Sequence, residues 1–499
     1  MQDPTWSEKA ASLSFNLRNF IDGQYTQSAS TELFSKYNPA TGDLLYQLPS
    51  GTPDDVNTAV EAARAAFKQG HWSRCAGHVR KRVLLKLADL IEAHQEELAL
   101  LECIDGGKPI KEALAVVGKA AGVIRFNAEA SDKLYGRTHK GGENNITTEE
   151  RGPAGVVAGI IAWNAPLNLA AMKMGPALAA GNSLVLKPSE LASLTTARLA
   201  ELALTAGVPK GVFNVVNGIG ATIGATLANH PGIDLITFTG STATGKQLLM
   251  AAGQSNMKQV ILECGGKSPN IVFDDFPDLD AAVDAVLASA FRNQGQVCAA
   301  GTRLLIQRSI KTEFVAKLLD KVKKLIPGDP LDPDTHFGAL ISAAQKAKVK
   351  HYIQQAQSSG TKLLCGGADT DYDNLPGYFV PPTIFDEVDP LQALAQEEIF
   401  GPVLSIIPFE DEAEAISIAN NTVYGLSASV WTADIGRVHR LVRQIDAGTV
   451  VGIASASISG GVTFGATTIE PHKQSGFGAE LGVDGLKSYT VNKTAMMYL

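Results

Sequence analysis

The sequence contains few cysteines, few aromatic residues and no extended run of basic charge. Its 5 cysteines are an odd number and none forms a Cys-x-x-Cys pair, which argues against a disulfide framework or a metal site and favours a reducing, cytoplasmic compartment. Lysine and arginine total 43 against 51 acidic residues, a formal net charge of −8, so nucleic acid is not an expected partner. The N-terminal segment contains acidic side chains and lacks the apolar core of a secretory signal peptide.

One uncharged segment, residues 152–172, is long enough to span a bilayer. Pro153, Pro166 and two asparagines interrupt it, and Lys173 follows it directly. We therefore expect a buried strand, a loop and a helix here rather than a membrane span.

The sequence does contain a repeated alternation of apolar strands and helices, which is typical of a parallel α/β fold. Its 499 residues should form two or three domains. One long amphipathic helix is predicted over residues 78–103. Buried strands are predicted at residues 156–162, 182–188, 212–218, 235–240, 259–265 and 270–273. Ligands bind beyond the carboxyl ends of such strands, so polar residues there are candidate functional residues.

Residues 135–150 are polar and rich in glycine, between apolar flanks. They form either a solvated linker or an exposed hairpin that packs on another subunit. The final strand-like segment, residues 485–499, is a candidate to pair with such a hairpin.

Glu263 and Cys298 are the candidates for chemistry, because each is a lone reactive group in an uncharged setting rich in glycine. A thiol becomes a strong nucleophile as the thiolate, and a carboxylate can act as a base towards water. Together they outline a two-step covalent mechanism. The alternatives are a buried inert thiol and a structural carboxylate paired with a lysine.

Further candidates follow the predicted strands. Asn164 carries an amide that can donate to an oxyanion, or it is a turn residue. Lys187 and Glu190 can bind ribose hydroxyls, with a solvated loop as the alternative. Glu398, ahead of Phe400, can hold another sugar hydroxyl or belong to a structural acidic pair.

A phosphate site is predicted where the strand at 235–240 leads into a helix. Gly240 and Ser241 precede that helix, and free N–H groups at a helix N-terminus favour an anion. An ordinary capped helix is the alternative. Gly220 belongs to a GxGxxxG pattern, which is only a weak form of the dinucleotide-binding fingerprint.

Eight segments occur in the order and at the spacing of one known family: WNAPL at 163, LVLKPSE at 184, FTGST at 238, LECGGKSPNIVF at 262, NQGQVCAAGTR at 293, EEIFGPV at 397, YGLSASVWT at 424 and KQSGFG at 473. Over nearly all of residues 15–495 the chain resembles the NAD(P)-dependent aldehyde dehydrogenase superfamily, of the hydrolytic, non-acylating type.

The resemblance implies an α/β fold with a Rossmann-type parallel-sheet domain that binds NAD, formed by residues 1–134 and 153–263. An α/β catalytic domain would follow at residues 264–465, and a small β oligomerisation arm would comprise residues 135–152 and 482–499. It also implies a homo-oligomer, either a dimer or a dimer of dimers.

The resemblance also implies the catalytic roles. Cys298 is expected to attack the aldehyde carbon, while the Asn164 side chain and the Cys298 N–H hold the oxyanion. Glu263 is expected to activate water for hydrolysis of the thioester, and Lys173 matches a lysine implicated in proton relay. Glu263 disfavours a CoA-acylating enzyme, because transfer to CoA needs no base for water. Retention of these residues disfavours a non-catalytic structural homologue.

The cofactor contacts implied by the resemblance are Trp163, Lys187, Ser189, Glu190, Gly220, Phe238, Gly240, Ser241, Glu398 and Phe400. Glu190 favours NAD over NADP, because a carboxylate would repel a 2′-phosphate.

The implied substrate pocket contains Ala165, Leu169, Met172, Arg292, Val297 and Ser455. Small residues at 165 and 455 favour a bulky aromatic or medium-chain aldehyde. Arg292 leaves alternatives open: it pairs with the carboxylate of a semialdehyde such as succinic semialdehyde, or it faces outward. The chain departs from the family pattern at Ala162, Cys264, Ala479 and the loop before residue 473.

Overall fold

The computed structural model describes residues 4–454 and 466–499. Its strands are β1 (Asn19–Ile21), β2 (Gln24–Thr26), β3 (Leu33–Tyr37), β4 (Leu44–Pro49), β5 (Arg137–His139), β6 (Asn145–Pro153), β7 (Val156–Ile160), β8 (Ser183–Lys187), β9 (Phe213–Val215), β10 (Leu235–Thr239), β11 (Gln259–Glu263), β12 (Pro269–Val272), β13 (Arg303–Gln307), β14 (Lys362–Cys365), β15 (Thr383–Asp386), β16 (Val403–Phe409), β17 (Tyr424–Gly425), β18 (Ser427–Trp431), β19 (Thr449–Ile453), β20 (His472–Lys473), β21 (Gly476–Phe477) and β22 (Thr490–Tyr498).

The α-helices are α1 (Trp6–Ala11), α2 (Pro53–Gln69), α3 (Gly77–Ala93), α4 (Gln95–Gly106), α5 (Ile110–Ala130), α6 (Pro166–Ala180), α7 (Leu194–Ala206), α8 (Ala225–Asn229), α9 (Thr242–Gln254), α10 (Leu279–Phe291), α11 (Arg308–Val322), α12 (Ala343–Ser358), α13 (Ala393–Gln396), α14 (Glu412–Asn420), α15 (Ile435–Gln444) and α16 (Gly482–Lys487). A π-helical turn (Gly220–Gly224) and two short 3₁₀ segments (Arg292–Gly295 and Asp371–Asn374) complete the helical structure of the described residues.

The first sheet has the strand order β2-β1-β9-β8-β7-β10-β11-β21. Its central strands β9, β8, β7, β10 and β11 are parallel. Successive residues of β7 enter opposite apolar clusters: Val157 packs with α5 and α6, while Val156 and Ala158 pack with α2. Helices therefore cover both faces, which explains why these strands are uninterrupted apolar runs. The predicted α/β fold is confirmed, and five of the predicted strands are β7 to β11.

The second sheet has the order β14-β15-β16-β13-β12-β18-β19, and only β14 is antiparallel to its neighbour. The predicted strand at 270–273 is β12, an interior strand of this sheet between β13 and β18. Residues 264–268 therefore carry the chain from the end of β11 in the first sheet to the start of β12 in the second. The candidate residues around this crossing segment lie between the two sheets.

The single helix predicted over residues 78–103 is wrong, because the chain breaks at His94 into α3 and α4. His94 has φ −104° and ψ 26°, and its backbone N–H and ring both interact with the Leu90 carbonyl oxygen. The side chain thus ends α3 locally, at a position with neither glycine nor proline to announce it.

Residues 135–150 form the exposed hairpin β5–β6 rather than a solvated linker. Strand β22 pairs with β6 along its whole length, from Thr490 opposite Pro153 to Tyr498 opposite Asn145, so the expected pairing is confirmed. Residues 152–172 form the end of β6, then β7, a loop and the start of α6. Among the helices of the described residues, none is long and apolar enough to cross a membrane.

Arg303 ties the crossing segment to the second sheet. The side chain is 1% exposed. Its guanidinium donates to the carbonyl oxygens of Lys267 (2.7 Å), Ile418 (3.0 Å) and Ala419 (2.9 Å). These bonds join residue 267 to the last turn of α14, and they satisfy a buried charge.

We predict that Arg303→Met lowers the free energy of unfolding by about 3 kcal/mol, because three buried carbonyl groups lose their donor. The urea midpoint measures this loss. The matched control Lys68→Met changes an exposed lysine and should stay within about 0.5 kcal/mol of the parent. Equal midpoints for the two variants would show that Arg303 does not stabilise the fold in this way.

Candidate active site

The polar residues singled out from the sequence follow four neighbouring parallel strands of the first sheet. Trp163 and Asn164 follow β7, Ser189 and Glu190 follow β8, Gly240 and Ser241 follow β10, and Glu263 ends β11. Carboxyl ends of parallel strands meet at one edge of a sheet. The fold therefore brings these side chains to one crevice, which the second sheet faces through the crossing segment.

A left-handed turn precedes Cys298. Asn293, Gln294 and Gly295 have φ values of 48°, 57° and 71°. The Asn293 Nδ2 donates to the Asn164 carbonyl oxygen (3.0 Å) and to the Gln296 carbonyl oxygen (3.2 Å). The Asn164 Nδ2 also donates to the Gln296 carbonyl oxygen, at 3.0 Å. An amide nitrogen carries two hydrogens, so the second is available to a group bound beside Cys298.

Cys298 is half-buried, directly against the crossing segment. A Cβ added at Gly266 would lie 2.5 Å from the Cys298 carbonyl oxygen, so this approach requires glycine. Burial raises the pKa of the Cys298 thiol to about 12, Glu398 and Glu263 add to the effect, and the N–H groups of Ala299 and Cys298 oppose it. The thiol is therefore protonated at neutral pH and needs a proton acceptor before it can attack.

Glu263 is 6% exposed, and its Oε1 has no hydrogen-bond partner. Burial raises the pKa of this carboxyl to about 7, and the nearby Lys173 ammonium opposes the shift. A carboxyl with such a pKa exchanges protons near neutral pH. The Lys173 Nζ lies near enough to affect the pKa of Glu263, but it donates its hydrogen bond to Glu480.

Lys173 and Glu480 form a buried ion pair behind Glu263. Lys173 is fully buried on α6, and burial lowers the pKa of its ammonium, while Glu263 is the largest opposing influence. Glu480 is 1% exposed, and its Oε2 has no hydrogen-bond partner. Sequence reasoning missed Glu480. A single acidic residue inside the otherwise uncharged segment 474–483 was the available signal.

The residues predicted to bind a dinucleotide line the same crevice edge. Lys187 Nζ donates to the Pro188 carbonyl oxygen (2.7 Å) and to Glu190 Oε2 (3.3 Å). Gly220 has no atom within 4 Å of the place where a Cβ would lie, whereas a Cβ at Gly240 would lie 2.3 Å from the Phe238 ring. Ser241 is exposed and caps α9. The N-terminus of α9, which directly follows Gly240 and Ser241, fits a pyrophosphate.

Glu398 and Phe400 approach from the second sheet. Glu398 Oε1 accepts from the Gly266 N–H at 3.1 Å, and a Cβ at Gly265 would lie 2.4 Å from Glu398 Oε2. The Phe400 ring meets the edge of Trp163 with centroids 5.1 Å apart. The crossing segment thus has the first sheet on one side and Glu398 on the other.

The predicted substrate-pocket residues fall into two groups, one on or near α6 and Cys298 and the other, Arg292, at a surface cavity. Leu169 and Met172 lie on α6, Ala165 precedes that helix, and Val297 is half-buried beside Cys298. Arg292 is exposed and lines a surface cavity of about 660 Å³ together with Glu112, Asp284, Leu287, Ala288, Phe291, Lys321, Lys324, Leu325, His336 and Phe337. Ser455 lies outside the described residues.

Cys264, a departure from the family pattern, packs inside the first sheet's apolar cluster. It is 3% exposed, and its Sγ would lie 3.0 Å from a Cβ added at Gly245. Burial raises its thiol pKa to about 12. Its environment is therefore that of a packed, protonated thiol.

The chain matches the aldehyde dehydrogenase family over residues 25–495. It is 47% identical to the NADP/NAD-dependent aldehyde dehydrogenase PuuC of Escherichia coli (strain K12) over 495 residues, which cover 99% of this chain and 98% of that protein. It is 42% identical to an aminoacetaldehyde dehydrogenase of Pseudomonas aeruginosa over 487 residues, 97% of this chain and 96% of that protein.

A solved structure agrees over the whole fold. A mutant of the indole-3-acetaldehyde dehydrogenase AldA of P. syringae, in complex with NAD+ and IAA, has a TM-score of 0.95 and 44% sequence identity, with 99% of both chains covered. The chain belongs to the aldehyde dehydrogenase family. It is an enzyme, an oxidoreductase that acts on aldehydes, as the sequence predicts.

Proposed function

We propose that this chain oxidises an aldehyde to the carboxylic acid with NAD as the hydride acceptor, through a covalent intermediate on Cys298. The observation that carries the proposal is that Oε1 of the buried Glu263 carboxyl accepts no hydrogen bond from the described residues. Glu263 is also close enough to Cys298 to raise the pKa of the Cys298 thiol. A base that takes a proton from water needs such an oxygen.

In the first half-reaction the half-buried Cys298 thiol releases its proton to solvent water, and its Sγ attacks the aldehyde carbon. The Asn164 Nδ2 and the Cys298 N–H donate to the oxyanion of the thiohemiacetal. Bound NAD supplies the acceptor for the hydride that leaves the substrate carbon. Loss of that hydride leaves a thioester on Cys298.

In the second half-reaction Glu263 takes a proton from water, and the water oxygen attacks the thioester carbon. Collapse of the tetrahedral intermediate releases the carboxylic acid and returns the thiol. Lys173 lies beside Glu263 and is hydrogen-bonded to Glu480. Burial lowers the pKa of its ammonium to about 8, so Lys173 can relay a proton from Glu263 once it has released its own.

The cofactor site rests on Lys187, Glu190, Gly240, Ser241 and Glu398. The Glu190 carboxylate, which Lys187 orients, would accept from the adenosine ribose hydroxyls and repel a 2′-phosphate. This favours NAD over NADP. The NAD+ in the complex of the P. syringae relative supports the same assignment, with Trp163, Ser189, Gly220, Phe238 and Phe400 completing the site.

We infer a bulky aromatic or medium-chain aldehyde as the substrate. Support comes from Ala165, Leu169, Met172 and Val297, which are aliphatic where aromatic rings would narrow the passage to Cys298. The relative that is an indole-3-acetaldehyde dehydrogenase is consistent with a wide passage.

A second candidate is an aldehyde with a carboxylate, such as succinic semialdehyde. Arg292 and Lys119 are both exposed, and each lacks an ionic partner among residues 4–454 and 466–499. Arg292 lowers the pKa of Lys119, so the two cations are near each other. An anionic group of a substrate would relieve their repulsion.

We also propose the domain division given by the resemblance, because residues 153–263 supply the parallel strands of the first sheet and residues 264–465 those of the second. The β6–β22 pair, with Tyr498 81% exposed, supports an arm that contacts another subunit in a dimer or a dimer of dimers. A cytoplasmic location is consistent with five free cysteines.

We predict that Glu263→Gln stops the reaction at the thioester. A first-turnover burst of NADH should persist, while steady-state turnover falls at least about 100-fold. Rapid mixing with NAD+ and aldehyde measures both. Glu397→Gln, at an exposed carboxylate bound to Tyr352, is the matched control and should turn over normally. Cys298→Ala should abolish the burst, and an intact burst would refute the proposed nucleophile.

Hydrolysis of the thioester should slow as the pH falls through about 7. Burial raises the pKa of Glu263 to about 7, so below that pH the carboxyl is protonated and cannot accept a proton from water. The decay rate of the acylated enzyme, followed between about pH 5.5 and 9, should rise to a plateau. An inflection near the ordinary Glu value of about 4 would argue against a buried base.

A matched pair of four-carbon aldehydes separates the two substrate candidates. If Arg292 and Lys119 bind a carboxylate, the KM for succinic semialdehyde should be about 10-fold below that for butanal, and Arg292→Ala should remove that ratio. The control is Lys111→Ala, which changes an exposed lysine on α5, the helix that carries Lys119. A ratio near one, with lower KM values for phenylacetaldehyde and octanal, would favour the first candidate.

A further inference from the structure

Glu112 lies on the first turn of α5 and is hydrogen-bonded to the backbone of the turn that precedes Cys298. Both of its carboxylate oxygens accept from the Asn293 N–H, at 3.1 Å and 3.2 Å. Asn293 is the first of three successive left-handed residues. Asparagine and glutamine in this conformation cost about 1 kcal/mol or more each, so the turn persists only if other contacts hold it.

The other contacts that hold this turn join neutral groups. Gln296 donates from its backbone N–H and its side chain to the Asn293 carbonyl oxygen, at 3.0 Å and 3.2 Å. Its Oε1 accepts from the Ile341 N–H at 3.0 Å. A hydrogen bond to an ionised carboxylate is roughly twice as strong as these.

The Glu112 carboxyl is used for this backbone contact and not for a salt bridge. Burial raises the pKa of the carboxyl, and Lys108, Arg292, the Asn293 N–H and Lys119 offset only part of that rise. Lys108 is bound to Glu102 at 2.7 Å, and the other two cations approach without an ion pair. Both Glu112 oxygens therefore face the Asn293 N–H.

The contact between Glu112 and Asn293 also affects Asn164, because Asn293 is hydrogen-bonded to both residues. The Asn293 side chain, whose backbone Glu112 holds, donates to the Asn164 carbonyl oxygen (3.0 Å), and the Asn164 amide donates to the Gln296 carbonyl oxygen (3.0 Å). Displacement of Asn293 would thus displace both groups that orient the Asn164 Nδ2. Cys298 follows Gln296 by two positions, so its N–H is fixed by the same turn.

We propose that Glu112 is a positioning residue for the oxyanion hole: it holds Asn293 in its left-handed conformation, and Asn293 in turn orients the Asn164 amide and the Cys298 N–H. The proposal rests on the proposed function, in which these two groups bind the oxyanion. In this role Glu112 acts through Asn293, so its effect is on the rate of the covalent steps rather than on binding.

The test is a double-mutant cycle between Glu112 and Asn164, with kcat and KM measured for one aldehyde. Asn164→Ala should lower kcat about 100-fold or more, the loss expected for one oxyanion-hole donor. Glu112→Ala should lower kcat about 30-fold and change KM by less than about 3-fold. The loss in the double variant should be clearly smaller than the product of the two single losses, because Glu112 acts in part through Asn164.

Two further variants guard the interpretation. Glu112→Gln keeps one acceptor oxygen without the charge and should recover part of the lost kcat. It also covers the case in which Glu112→Ala fails to fold. Glu129 is a surface residue on α5, the helix that also carries Glu112, and it is paired with Lys81 of α3. Glu129→Ala should leave kcat unchanged.

Losses that multiply in the double variant, or a kcat unchanged in Glu112→Ala, would overturn the positioning role. An unchanged kcat in Asn164→Ala would instead overturn the oxyanion role in the proposed function, so the two failures are distinguishable.

Discussion

The site depends on a steric constraint in the five residues that cross from one sheet to the other. Gly265 and Gly266 have no Cβ, so the Glu398 carboxylate and the Cys298 backbone can press against them. Ser475 secures the segment from the C-terminal side: its Oγ donates to the Gly265 carbonyl oxygen at 2.7 Å, and its carbonyl accepts from the Cys264 N–H at 2.8 Å. A larger residue at either glycine would separate the two halves of the crevice.

Buried polar groups with incomplete hydrogen bonding lie next to this crossing segment. Glu263 and Glu480 each have a buried carboxylate oxygen without a hydrogen-bond partner, and Lys173 lies beside them. Burial of a polar group opposes folding when the group lacks a hydrogen-bond partner. Sites that handle protons retain this arrangement because it moves pKa values towards neutrality. The surrounding helices and the two apolar clusters compensate for it.

The elements that sequence reasoning predicted correctly are those with a local signal. β7, β8 and β10 are buried on both faces, and each therefore appears as an apolar run. The break at His94 is a local hydrogen-bonding event that the apolar period does not record. Glu112 and Glu480 were missed because their partners lie 181 and 307 positions away. The isolated acidic residue in segment 474–483 draws attention to Glu480 but does not indicate its partner. Family motifs singled out Cys298 and Glu263 as candidates, but not the network that orients their neighbours.

The high pKa of the Cys298 thiol has a consequence for the lifetime of the enzyme in the cell. Peroxides attack the thiolate far faster than the thiol. Because burial raises the pKa of this thiol, its protonated form predominates at neutral pH. Between turnovers the proposed nucleophile is thus held in the form that peroxides attack slowly.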